Sequence, residues 1–172
     1  DSYVNQSVYD YLNKYVKGKK AAFAPGETHR YSDTNYLLLG LMIEVVSKQS
    51  LGEAVQNLIL PPTGLFETYY KSSEGYPNIP GVTENYATVY DKSIENGTSL
   101  QQHSANISTG HEGMIASPRD YVLFLSKLLN GEIIDSATLK LMLDFQEGPR
   151  GNMFGLGIFQ FQPDHGPLLG HS

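Results

Sequence analysis

The sequence predicts an α+β fold in which a mostly helical part precedes a short run of strands. Apolar residues recur at helical spacing in segments that end near position 145. Between positions 63 and 106 this periodicity fades, and Gly, Pro, Asn, Ser and Tyr dominate. From Phe154 onward the apolar pattern is typical of strands. We therefore expect residues 1–145 to form mainly a helical lobe, and residues 146–172 to begin a sheet with one or two strands.

Two helices are predicted in the first third of the chain. The first runs from Val4 to Val16, with Gly18 placed to end it. The second begins at Asp33 or Thr34, either of which can cap it. Its apolar residues at helical spacing are Leu37, Leu38, Leu41, Met42, Val45 and Val46.

Local signals also bound the later elements. Ser50-Leu51-Gly52-Glu53 is a capping box that opens a third helix, which we expect to stop at Pro61-Pro62. Ser117-Pro118-Arg119-Asp120 combines an N-cap serine, a proline at the first helical position and an acid three residues on, which predicts a helix to Leu129. Ser136 is expected to cap a last helix. The strands are predicted at Ala87–Tyr90, Phe154–Phe161 and Pro167–His171.

Composition excludes several classes of function. Twelve basic and eighteen acidic residues give a net charge of −6, which argues against binding of nucleic acid. The chain has no cysteine, and its histidines and acids are too scattered for a metal site, so we expect neither metal nor cofactor. His111-Glu112 starts a zinc motif, but position 115 is isoleucine. No apolar run is long enough to span a membrane.

Short motifs follow one another along the chain in a fixed order. They are Phe23-Ala24-Pro25-Gly26, Tyr31-Ser32-Asp33, Leu39-Gly40-Leu41-Met42-Ile43-Glu44, Pro62-Thr63-Gly64-Leu65, Gly113-Met114-Ile115-Ala116-Ser117-Pro118-Arg119-Asp120, Gly155-Leu156-Gly157 and Gly170-His171-Ser172. No single motif is specific, but their order and spacing together are. From Phe23 to Ser172 the chain resembles the serine β-lactamase and penicillin-binding protein superfamily, in particular its class C β-lactamase, D-alanyl-D-alanine carboxypeptidase and esterase branch.

This resemblance implies a β-lactamase/transpeptidase-like fold, a helical lobe beside a sheet, and catalysis by acyl transfer. A serine attacks a carbonyl group, forms an acyl-enzyme, and water releases the product. Family members carry Ser-x-x-Lys, then Tyr-x-Asn or Ser-x-Asn, then Lys-Thr-Gly or His-x-Gly. Tyr31-Ser32-Asp33 matches the second motif, and Gly170-His171-Ser172 matches the start of the third.

The resemblance implies catalytic roles for Tyr31 and Asp33. Tyr31 would accept a proton from the serine, which requires nearby cations because a phenol ordinarily titrates near ~10. The alternative is that Tyr31, one of twelve tyrosines, only packs an interface. Asp33 departs from the commoner asparagine: a carboxylate accepts hydrogen bonds from a lysine but cannot donate to a substrate carbonyl. Its alternative role is to cap the following helix.

His171 and Ser172 are the expected substrate-binding residues. His171 would replace the lysine of the third motif as a hydrogen-bond donor or as a titratable cation. Ser172 would offer its hydroxyl to a substrate carboxylate. The alternative for both is a chain end with no role.

The nucleophile motif itself is missing, since no serine is followed three residues later by lysine. In the family this motif precedes the Phe-x-Pro-Gly turn, so we expect it before Asp1. One backbone donor of the oxyanion hole comes from the nucleophile, and the other follows the third motif. The sequence thus predicts the middle segment of a serine hydrolase, inactive alone, that acts on β-lactam, D-Ala-D-Ala peptide or ester substrates. The alternative is a non-catalytic relative that binds cell-wall fragments.

Two expectations concern the surroundings of the protein. A peptidoglycan-type substrate implies an extracytoplasmic location, whether secreted, periplasmic or in the cell envelope. Strand edges between Phe154 and His171 would be exposed in this chain, which predicts self-association.

Overall fold

The α+β class is confirmed, and helices and strands alternate more than the sequence predicts. The structure is a computed structural model that describes residues 7–70, 79, 81–82, 87–89, 92–94, 110, 113–148, 151–164 and 166–171. The helices are α1 Val8–Tyr11, continued by a π-helical turn Leu12–Val16, α2 Asp33–Ser47, α3 Leu51–Leu58, α4 Leu60–Thr63, α5 Pro118–Leu129 and α6 Ser136–Met142. The strands are β1 Thr68–Tyr70, β2 Ala87–Val89, β3 Lys92–Ile94, β4 Met114–Ala116, β5 Gln146–Glu147, β6 Met153–Phe154, β7 Phe159–Phe161 and β8 Leu168–Gly170.

Contacts divide the chain into two units. The first contains residues 1–19 and 32–120, and the second contains residues 20–31 and 121–172. The predicted division at 145/146 stays a prediction. No helix among the described residues has the length and apolar character needed to cross a membrane.

The first unit is built on helices α2 to α4 and the antiparallel pair β1–β4. The predicted capping box is confirmed, since the Ser50 hydroxyl accepts from the Glu53 N–H and the Glu53 carboxylate accepts from the Ser50 N–H. Strand β2 lies where the sequence predicts it and pairs with β3. The buried apolar residues of this unit are Leu37, Leu51, Ala54, Leu60 and Leu65.

Asp120 lies almost fully buried in the first unit, with 1% of its surface exposed. Its Oδ2 accepts hydrogen bonds from the Glu67 N–H at 2.7 Å and from the Thr68 hydroxyl at 3.0 Å. Its own N–H donates to the Ser117 hydroxyl at 3.1 Å, as the predicted N-cap requires. Asp120 therefore ties the start of α5 to β1.

The second unit carries an antiparallel sheet in the order β5-β6-β7-β8. These are four strands, where the sequence predicts one or two, because the two-residue strands β5 and β6 also pair. Such short strands leave too few residues to show an alternating pattern. Leu128, Ile158 and Phe159 are buried in this unit.

Helix α2 begins at Asp33 as predicted, whereas the first helix begins at Val8 and not at Val4. Three further predictions, of two N-caps and of one helix end, are wrong. Ser32, not Asp33 or Thr34, occupies the N-cap of α2, and its side chain makes no capping bond. Asp135, not Ser136, caps α6, because its carboxylate accepts hydrogen bonds from the N–H groups of Ala137 and Thr138. These hydrogen bonds, above all the one from the Thr138 N–H, lower the pKa of Asp135. Pro61-Pro62 does not end a helix but lies in the first turn of α4. Proline is tolerated there because a backbone N–H in the first turn has no partner within the helix, so its loss breaks no hydrogen bond.

Candidate active site

Tyr31 stands at the end of an extended segment that leads into α2. Ser32 is in the β region, with φ −154° and ψ 126°, and the helix begins at the next residue. The Tyr31 side chain is 43% exposed. A phenol with that exposure is not confined to an apolar core, so its hydroxyl can meet a ligand.

His171 directly follows β8 and lies beside Tyr31. The two ring centroids are 6.1 Å apart, and the rings meet edge-on at 62°. Phe159 also stacks on the His171 imidazole, at 4.8 Å between ring centroids with an interplanar angle of 24°. The structure thus brings together one residue from each of the two motifs that the sequence singles out.

An open pocket of about 240 Å³ lies next to this pair. Its lining residues are Tyr31, Asn152, Phe154, Phe159 and Phe161. Phe159 and Phe161 alternate along β7 and therefore share one face of the sheet. The register of the sheet sets Phe154 opposite Phe159, with Gly170 on the other side.

A tight turn between β6 and β7 sets the register of these two strands, in which Phe154 lies opposite Phe159. The Leu156 N–H donates to the Met142 carbonyl at 3.0 Å, and the Gly155 N–H donates to the Ile158 carbonyl at 2.8 Å. A Cβ on Gly155 would collide with the Met142 carbonyl, and Gly157 has φ 72°. Both glycines of the Gly155-Leu156-Gly157 motif are therefore required by the backbone.

The structure gives less information on Asp33 and Ser172 than on the other two predicted site residues. Asp33 is an exposed residue at the start of α2, in the first unit. Burial raises the pKa of the Tyr36 phenol, and the negative charge of Asp33 raises it further. Ser172, like His111 and Glu112, lies outside the described residues. The roles of all four predicted site residues stay predictions.

Sequence reasoning missed the aromatic pocket. The sequence pattern predicts Phe154, Phe159 and Phe161 only as parts of a strand, and Asn152 gives no signal. The alternation of Phe159 and Phe161 indicates a shared face, but the pairing that adds Phe154 depends on the turn. Within the described ranges, no group of three or more His, Asp or Glu side chains could hold a metal ion.

The α+β architecture is consistent with the serine β-lactamase and penicillin-binding protein class. The Beta-lactamase family model matches residues 2–172, and the chain belongs to that family.

Individual relatives are distant. A putative D-alanyl-D-alanine carboxypeptidase of Salmonella typhi is 26% identical over 162 residues, which cover 83% of this chain and 37% of the relative. A D-stereospecific amidohydrolase from Streptomyces sp. has a TM-score of 0.79 at 23% identity, over 98% of this chain and 50% of that one. An octameric penicillin-binding protein homologue from Pyrococcus abyssi has a TM-score of 0.76 at 23% identity, over 96% and 38%. The chain thus spans about a third to a half of the proteins it matches.

Proposed function

We propose that this chain is the part of a serine hydrolase that supplies Tyr31 and His171 to an acyl-transfer site, with the Ser-x-x-Lys motif on polypeptide outside it. The observation that carries the proposal is the contact between the Tyr31 and His171 rings, whose centroids are 6.1 Å apart, beside a pocket that Tyr31 lines. Family membership supports the same chemistry.

The proposed reaction proceeds in two balanced steps. The serine oxygen attacks the substrate carbonyl carbon while its proton passes to the ionised phenol of Tyr31. The tetrahedral intermediate then expels the amine or alcohol, which receives that proton, and an ester to serine remains. Water repeats the sequence and frees the acid. A lysine cation near Tyr31 would favour the ionised phenol, and Asp33 is the proposed partner of that lysine.

Helix α2 supports the proposal that further polypeptide completes the protein. Many of its apolar side chains are exposed in this chain, among them Met42, Val45 and Val46, the last with 83% of its surface accessible. A helix that is apolar around most of its circumference is typical of the interior of a larger protein. We propose that the segment with the nucleophile is part of the polypeptide that covers these side chains in the full-length protein.

The proposed substrates are β-lactams, D-Ala-D-Ala peptides or esters, bound through His171 and Ser172. The names of the relatives, a putative carboxypeptidase and an amidohydrolase, support a carbonyl substrate with an amine leaving group. Among the proposed substrates, an aspartate at position 33 favours those that need no recognition of a neighbouring amide group, because a carboxylate cannot donate a hydrogen bond to an amide carbonyl. We also propose an extracytoplasmic location, which fractionation of the producing cells tests.

Acylation of the full-length protein tests this function directly. After incubation with benzylpenicillin or an activated ester, mass spectrometry is expected to show one added acyl group per chain. A variant with alanine in place of the Ser-x-x-Lys serine should gain none. A folded full-length protein that is never acylated would contradict the proposal and favour the non-catalytic module that binds cell-wall fragments.

The edge of the sheet supports a second proposal, that this chain associates with itself. Strand β8 is an edge strand among the described residues, and Leu168 on it is exposed. Gel filtration of the 172-residue chain should show a larger species as concentration rises. Leu168→Lys should reduce it, because lysine on an edge opposes strand pairing. A monomer at every concentration would contradict the proposal.

A further inference from the structure

The aromatic pocket beside Tyr31 is small enough to select what enters it. An apolar cavity of about 150 Å³ is sufficient to hold benzene. The pocket measures about 240 Å³, so it accommodates one ring or one branched aliphatic side chain but not a helix or a strand. Its dimensions therefore correspond to a single substituent of a substrate.

The chemistry of the lining favours an uncharged apolar group. Three of the five lining residues are phenylalanines, and a fourth contributes the Tyr31 ring. The other two lining residues are Tyr31 and Asn152, and neither carries a positive charge. An anionic substituent would therefore lose its hydration without gaining a counterion. An entering aromatic ring can pack edge-to-face, which is already the arrangement of the Phe154–Phe159 pair at 4.8 Å and 70°.

Aromatic contacts hold two of the lining phenylalanines, Phe154 and Phe159, in place. Phe159 is buried, with Phe154 packed against it across the strands and His171 stacked on it. His29 stacks on Phe154 in turn, at 4.2 Å and 28°. Phe161 is only half-buried and lies 6.1 Å from Phe159, also edge-on. Phe161 is therefore the lining phenylalanine whose size can change with least effect on the core.

We propose that this pocket receives the apolar side chain on the acyl part of the substrate, an aromatic or branched aliphatic group next to the carbonyl that is attacked, and that Phe161 sets the size accepted. This inference rests on the proposed function, in which Tyr31 takes the serine proton. Because Tyr31 also lines the pocket, a group bound there lies close to the reacting carbonyl. The substrate class is that of acyl donors with a bulky apolar substituent.

The test compares esters that share one leaving group, p-nitrophenyl acetate and p-nitrophenyl phenylacetate, on the full-length protein. The kcat/KM for p-nitrophenyl phenylacetate should be at least about tenfold higher than that for p-nitrophenyl acetate, since hydrophobic pockets discriminate between substrates by about 10–200-fold. Phe161→Trp should lower this ratio about tenfold by filling the pocket. Phe161→Leu should also shift the ratio, with little disturbance of packing. The matched control is Phe66→Ala, an exposed phenylalanine of the first unit, which should leave the ratio unchanged.

Direct binding separates failure of this inference from failure of the proposed function. Calorimetric titration with phenylacetate should show binding to the wild-type protein and loss of binding in Phe161→Trp. If no ester is hydrolysed but phenylacetate binds in this way, the pocket stands and the hydrolase assignment fails. If esters are hydrolysed with the same acyl preference in folded Phe161→Trp and Phe161→Leu, or if phenylacetate does not bind, the pocket inference is overturned.

Discussion

Replacing Tyr31 with phenylalanine in the full-length protein is expected to lower kcat for ester hydrolysis by about 10²–10⁴-fold, the usual contribution of a positioned acid or base. The substitution removes only the phenolic oxygen. The ring that packs edge-on against His171 is retained, so the pocket should keep its shape. Steady-state kinetics with p-nitrophenyl acetate measure the effect, and thermal unfolding should show a stability close to that of the wild type.

The control is Tyr121→Phe. Tyr121 belongs to the same unit and is comparably exposed, at 50%, but it does not line the pocket. Its kcat should be unchanged. The acidic limb of the kcat/KM profile, along which protonation of the acceptor lowers the rate, should disappear in Tyr31→Phe alone. A Tyr31→Phe enzyme with near wild-type kcat would exclude Tyr31 as the proton acceptor.

Asp120→Ala is expected to lower the free energy of unfolding by about 2–5 kcal/mol, because two donors lose a buried acceptor. The Glu67 N–H and the Thr68 hydroxyl both donate to Oδ2, and neither has a replacement in the altered site. Asp120→Asn should cost less, since one oxygen can still accept both bonds. Urea unfolding of the full-length protein measures these differences.

The other carboxylate oxygen of Asp120, Oδ1, also affects the stability of the protein. This oxygen is buried without a hydrogen-bond partner in the described part of the chain, so the carboxylate already carries a desolvation cost. Asp164→Ala, at an exposed aspartate, is the control and should change stability by no more than about 0.5 kcal/mol. Equal stability of Asp120→Ala and Asp164→Ala would show that the Asp120 bonds do not stabilise the fold.

Helix ends were predicted best where the signal is local. The box formed by Ser50 and Glu53 is present as expected, because both of its hydrogen bonds join residues three apart. At Ser117 the same pattern is only half realised. Ser117 accepts from the Asp120 N–H, but the Asp120 carboxylate bonds to β1 instead of returning to Ser117. Thr68 is 52 positions away, so no sequence window contains the competing partner.

Burial was harder to predict than helix position. The apolar residues of α2 have the expected spacing, yet Leu37 is buried while Leu38 and Met42 are largely exposed. Spacing shows which side chains share a face, but whether that face is covered depends on the segments that pack against it. A periodic pattern alone cannot show how much of that packing lies within the chain.

The sequence by itself determined the α+β class, most helix starts, the family and the identity of Tyr31 and His171 as residues to examine, because ordered motifs and capping bonds are short-range features. Only the tertiary structure decided that the two rings meet, that β5 and β6 extend the sheet, and that three phenylalanines line one open pocket. The pocket depends on strand register, and the Gly155–Gly157 turn sets the register between β6 and β7 that places Phe154 opposite Phe159. Register is a relation between segments, and no single segment encodes it.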